Sequence, residues 1–246
     1  MKKLFILSGF IAINAFVQAQ NIHFFGLLPA INQTGRLSDK FNYNFFASTT
    51  IDAVKLIENG KTYPATDFQL YIQPSLIYAH SANLNFAGSY TYQRNNPFNP
   101  AFSNEHRLWQ QAIFSFEAGK ARMTNRFRFE ERFIQNRTTG EYPLSFRARY
   151  QIGFNQPLQG KTLDPKEFYV NAYNEFYFSL TKSQRNALYS ENWTYVGLGY
   201  HLGKIGRIEL GYLFQTYVRN SAKDLRFLNL AQVMWSTNFN FQKRKS

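Results

Sequence analysis

Leu144-Ser145-Phe146-Arg147-Ala148-Arg149-Tyr150-Gln151-Ile152-Gly153-Phe154 decides the fold. Every second residue is apolar and the residues between are mostly polar or charged, which is the period of a strand with one apolar face. The run is too long for a typical sandwich strand, and two arginines lie on its polar face. Strands of about ten residues, apolar outside and polar inside, are the signature of a transmembrane barrel.

The same period extends along the chain. Leu84, Phe86, Gly88, Tyr90 and Tyr92 alternate with Asn85, Ala87, Ser89, Thr91 and Gln93. Phe168, Val170, Ala172, Phe176 and Phe178 alternate with Tyr169, Asn171, Tyr173, Glu175 and Tyr177. Val196, Leu198, Tyr200 and Leu202 share one face, as do Ile208, Leu210, Tyr212 and Phe214. Further runs lie near 40–53, 66–78, 104–117, 121–135 and 226–241. The connections alternate in length. Residues 79–83, 118–121 and 203–206 are short, whereas 54–65, 94–103, 136–143, 181–190 and 218–225 are longer and polar; 155–166 is long on the short-turn side. Short turns at one end and long loops at the other fit periplasmic turns and extracellular loops.

These features predict an all-β, antiparallel up-and-down transmembrane barrel over residues 40–241 with about ten strands, twelve being the alternative. The apolar stretch Ile22–Ile31 would add an eleventh strand and place the N-terminus outside. Pro29 also disfavours a central strand. Residues 20–39 are therefore expected on the periplasmic side or in the lumen.

The N-terminus reads as an address. Met1-Lys2-Lys3 is a basic head, Leu4–Phe16 an apolar stretch, and Val17-Gln18-Ala19 a small-residue cleavage site. Together, residues 1–19 form a secretory signal peptide, too short to span a bilayer. Its removal lowers the formal charge from +13 to +11. The expected location is the bacterial outer membrane, with lipid and lipopolysaccharide as surroundings. Residues 242–246 form a basic tail.

Composition agrees. Aromatics make up 18% of the 246 residues and charged residues 17%, which excludes a disordered chain. Mean hydropathy is −0.40, and no later apolar run reaches the length of a spanning helix. Tyr and Trp suit interface girdles, and Phe suits the lipid face. Absence of cysteine excludes disulfides, thiolate metal sites and cysteine nucleophiles.

Charge facing lipid costs roughly 2–4 kcal/mol for Arg or Lys at the midplane, so strand charges are expected in the lumen. The candidate cluster is Glu105, Arg107, Arg126, Arg128, Glu130, Arg132, Arg147, Arg149 and Glu175. Its simplest role is a paired structural interior, because buried charges need partners. Surplus arginine would also suit a site or narrow path for a small anionic solute. Glu131 breaks the alternation and is expected near the rim. A pI near 9.8 brings no nucleic-acid motif with it, and anionic head groups or surface glycans are better matched to it.

No catalytic, cofactor or metal site is expected. The four histidines, His23, His80, His106 and His201, lack metal-ligand spacing. His106 with Ser103 and Asn104 gives a remote hydrolase alternative, and the long loops give a surface-binding alternative. Gly197-Leu198-Gly199 lies in a strand and completes no dinucleotide fingerprint.

Several segments, taken in order, carry a resemblance. They are Asn104-Glu105-His106-Arg107-Leu108-Trp109-Gln110-Gln111, Arg126-Phe127-Arg128-Phe129-Glu130-Glu131-Arg132-Phe133, Arg147-Ala148-Arg149-Tyr150, Glu175-Phe176, Gly197-Leu198-Gly199-Tyr200 and Gly211-Tyr212-Leu213-Phe214-Gln215. As a set they resemble the Gram-negative outer-membrane proteins grouped as domain of unknown function 2490. The resemblance implies an outer-membrane barrel and brings no activity with it.

Overall fold

The computed structural model describes residues 21–54, 56–58, 61–63, 68–182, 186–219 and 223–240. The expected signal peptide and the basic tail lie outside these residues. Eleven strands close a barrel: β1 (Ile22–Arg36), β2 (Phe41–Asp52), β5 (Phe68–Ala79), β6 (Leu84–Asn95), β7 (Ser103–Ala118), β8 (Ala121–Ile134), β9 (Leu144–Pro157), β10 (Phe168–Ser179), β11 (Tyr189–His201), β12 (Arg207–Val218) and β13 (Leu225–Asn238). A short hairpin of β3 (Leu56–Glu58) and β4 (Lys61–Tyr63) sits in the connection from β2 to β5.

Neighbouring strands are antiparallel except at the closure, where β1 pairs with β13 in parallel. Parity requires this: an odd ring of alternating strands must contain one parallel pair. The start of β1 therefore lies at the long-loop end and the end of β13 at the short-turn end.

The expectation for residues 20–39 is corrected here. Ile22–Arg36 is a full strand of the wall, paired with both β13 and β2. It escapes a periodicity reading because both of its faces are apolar. Ile22, Phe24, Leu28 and Ala30 are buried inward, while Phe25, Leu27 and Ile31 are exposed outward. Pro29 is accommodated by a local lapse in pairing. The ladder to β13 runs through Pro29↔Val233, but the ladder to β2 skips Leu28 and Pro29. Pro74 in β5 repeats the device: its ladder to β2 is continuous and its ladder to β6 skips Gln73 and Pro74. A missing N–H is tolerable where one ladder is already interrupted.

Outside, the barrel is an inverted protein. Phe127, Val196 and Leu210 are each more than half exposed, where a water-facing wall would carry polar side chains. No described helix is long and apolar enough to cross a membrane. Glu131 is an outward exception, between Leu108 and Phe146 across its neighbours and three residues short of the strand end at Ile134. The tightest turn, Gly119-Lys120 between β7 and β8, uses a positive φ of 69° at Gly119, a conformation open to glycine at no steric cost.

Candidate functional site

Alternation along β7, β8, β9 and β10 aims one residue in two at the lumen. Register then decides which of them meet. Glu130 lies opposite both Trp109 and Arg147, and Arg128 lies opposite both Gln111 and Arg149. Glu105, Arg107, Arg128, Glu130, Arg147, Arg149 and Glu175 are all buried, and Arg126 and Arg132 are mostly so. All nine residues singled out in the sequence thus share one inner wall.

They form two groups. Near the long-loop end, Glu105 accepts from Arg107 at 2.5 Å and from Arg132 at 2.6 Å. Deeper in, Glu130 accepts from Arg147 and Arg149, both at 2.6 Å. Arg149 reaches on to Glu175 at 2.8 Å, and Glu175 also holds Arg126 at 2.6 Å. Tyr177 accepts a hydrogen bond from Arg149 and donates one to Glu175. Its ring also carries the guanidiniums of Arg147 and Arg149, centred 4.9 and 4.4 Å away. Glu105, Glu130 and Glu175 are therefore each held by at least two arginines with short, charge-assisted bonds.

Glu191 is the member that the sequence reading missed. It accepts from Arg147 at 2.9 Å, across from β11 to β9. Counting back by twos from Tyr195 and Trp193 would have found it. Six arginines meet four glutamates in this network. Glu209 is a fifth luminal carboxylate, held by the Tyr195 hydroxyl at 2.6 Å and by Asn171. Six arginines against these five glutamates leave one positive charge in excess around the central cavity.

Arg128 differs from its neighbours. Its Nε and Nη2 donate to neutral Gln111 at 2.9 and 2.8 Å, its guanidinium lies 3.8 Å over the Trp109 ring, and its nearest carboxylate, Glu130, is 3.8 Å away. Arg126 Nε is buried with no hydrogen-bond partner among the described residues. These two guanidiniums hold the least committed positive charge in the wall.

Across the ring the lumen changes character. β1 and β13 lie opposite β8 and β9. Ile22, Phe24, Leu28 and Ala30 pack there with Leu213, Leu228 and Leu230 in an apolar cluster that Tyr195 joins. The glycines of the Gly197-Leu198-Gly199 motif and Gly211 belong to this half. A Cβ at Gly197 or Gly211 would run into the Tyr195 ring, and one at Gly199 into the Tyr169 ring. They are space for aromatic rings, as glycine–aromatic pairs across strands often are.

Between the two walls lies a cavity of about 500 Å³ that reaches from Thr50, Gln69 and Tyr217 to Asn32, Ile77 and Met234. A vestibule of about 510 Å³ at the long-loop end shares Thr50, Gln69, Gln215 and Tyr217 with it and adds Arg137, Arg219 and Arg226. One of about 420 Å³ at the short-turn end shares Ile77 and is lined by Asn42, Asn85, Asn238 and Asn240. The three spaces succeed one another along the barrel axis.

His106 is placed elsewhere. It faces outward in an aromatic group, with Nδ1 2.5 Å from the Tyr90 hydroxyl and the Tyr92 and Tyr142 rings each centred 5.4 Å away. Ser103 lies an odd number of residues away on the same strand and is buried on the opposite face. The strand thus keeps this serine and histidine apart. Glu117 sits exposed at the short-turn rim, 3.9 Å from Arg122. Among the described residues no group of His, Asp and Glu could hold a metal ion.

No curated protein matches the chain. The family model described as "Protein of unknown function (DUF2490)" matches residues 29–226, beginning within β1 and ending within β13. The chain, an eleven-stranded closed barrel with an ionic wall and an apolar wall, belongs to the DUF2490 family.

Proposed function

We propose that the protein is a non-enzymatic outer-membrane β-barrel whose lumen binds and passes a small anionic solute. One observation carries the reading: an arginine-rich wall borders a cavity flanked by a vestibule at either end, and two of its guanidiniums, Arg126 and Arg128, are incompletely matched by carboxylate. Membrane placement is supported by the apolar outer face and by the contrast between short turns and long loops. The paired arginines hold the wall, and the surplus makes it attractive to anions.

A second reading has its own support. Glu105, Glu130 and Glu175 each bind two arginines, as a purely structural interior would require. Conductance separates the two. The mature protein should fractionate with outer membranes, migrate differently on gels before and after heating, and open discrete channels when refolded into planar bilayers. A soluble periplasmic location would overturn the membrane reading. A correctly folded barrel with no conductance above blank and no binding of inorganic phosphate would leave the structural reading.

A further inference from the structure

The anion reading leaves the opposite wall of the same cavity unexplained. Phe46 and Met234, both partly exposed, line it together with Arg126 and Arg128, with the buried Leu28 and Leu213 behind them. A path shaped for a hydrated anion alone would be lined by polar side chains, as Gln69, Gln73 and Gln93 line part of the β5 and β6 side. Apolar surface beside a wet cavity is unfavourable in proportion to its area unless something apolar covers it. Small polar side chains fit this barrel's interior, as Ser48 and Thr50 on β2 show.

We propose that the lumen binds an anionic amphiphile, its phosphate or carboxylate head at Arg126 and Arg128 and its alkyl chain along Phe46 and Met234. This rests on the anion reading above and adds the tail. The head group goes to these two arginines because they retain donor capacity: Arg126 Nε has no partner among the described residues, and Arg128 is held mainly by neutral Gln111. The other four arginines each engage carboxylates through at least two guanidinium nitrogens, against one for Arg126. A volume of about 500 Å³ lies within the range of small-molecule sites.

The chain carries its own reporters. Trp109 and Trp193 line the cavity, and Trp235 lies on the outer face. A Trp235→Phe barrel refolded in neutral-lipid nanodiscs therefore reports on the lumen alone. Titration with inorganic, ethyl, butyl, hexyl and octyl phosphate, each corrected against empty discs, should give saturable curves. Affinity should rise with each methylene, approaching about fourfold per group for full burial. Arg128→Gln should weaken octyl phosphate about tenfold. Phe46→Gln or Met234→Gln should flatten the chain-length dependence and leave inorganic phosphate unchanged. Equal affinity for inorganic and octyl phosphate would overturn the amphiphile and keep the anion reading. Absence of saturation by any phosphate would overturn both. Octyl glucoside binding as tightly as octyl phosphate would overturn the head-group assignment.

Discussion

The two walls of the lumen are held by different physics. Across β7 to β10, burial is permitted only by pairing, and each carboxylate satisfies several guanidiniums at once. Across β1, β13 and β12, burial is itself favourable, and Leu213 and Leu230 need only neighbours of the right shape. The first wall should behave as a connected unit and the second as a sum of contacts. Mutations can break this contrast.

The largest effect is expected at Glu130. Glu130→Ala leaves Arg147 and Arg149 without a shared carboxylate in a buried site, and breaking such a pair costs about 3–5 kcal/mol. Urea unfolding of the refolded barrel measures it. A loss under about 1 kcal/mol would show that water or a counterion already screens the wall. Next comes Leu230→Ala in the apolar wall, where the side chain is fully buried. The expected loss is about 2–4 kcal/mol from transfer and cavity terms, measured in the same way. Combining it with Glu130→Ala should be close to additive, since the sites share no partners. Glu130→Ala with Glu175→Ala should not be additive, since both carboxylates bind Arg149.

Arg128→Gln is expected to be milder, about 1–2 kcal/mol, because its main partner is a neutral amide and the Trp109 face. Its stronger signature should be on anions in the lumen. Smallest is Arg122→Ala at the short-turn rim, where the pair with Glu117 is more than half exposed. A change within about 0.5 kcal/mol is expected from thermal melts.

Much of this was legible before the structure. Strands β5 to β13 announce themselves because one face meets apolar surroundings and the other a polar interior. The arginines of β8 and β9 could be placed inside because charge on the outer face is costly. β1 was hidden for the complementary reason. Its segment of the lumen is apolar too, so Ile22 to Ile31 shows no alternation, and Pro29 reads as a breaker until the interrupted β2 ladder is seen. Burial and pairing of the nine charged residues were readable, but which arginine meets which glutamate was not. Arg126 reaches Glu175 across an intervening strand, and Arg147 reaches Glu191 likewise. Such contacts depend on barrel curvature and side-chain reach, which strand period does not encode.

The most direct test of an anion-accepting lumen is the zero-current potential of the refolded barrel in a planar bilayer under a potassium chloride gradient. The expected sign is that of chloride permeating better than potassium, with Arg128→Gln moving the potential towards zero. Potassium selectivity, or a potential unmoved by Arg128→Gln and Arg126→Gln together, would contradict it.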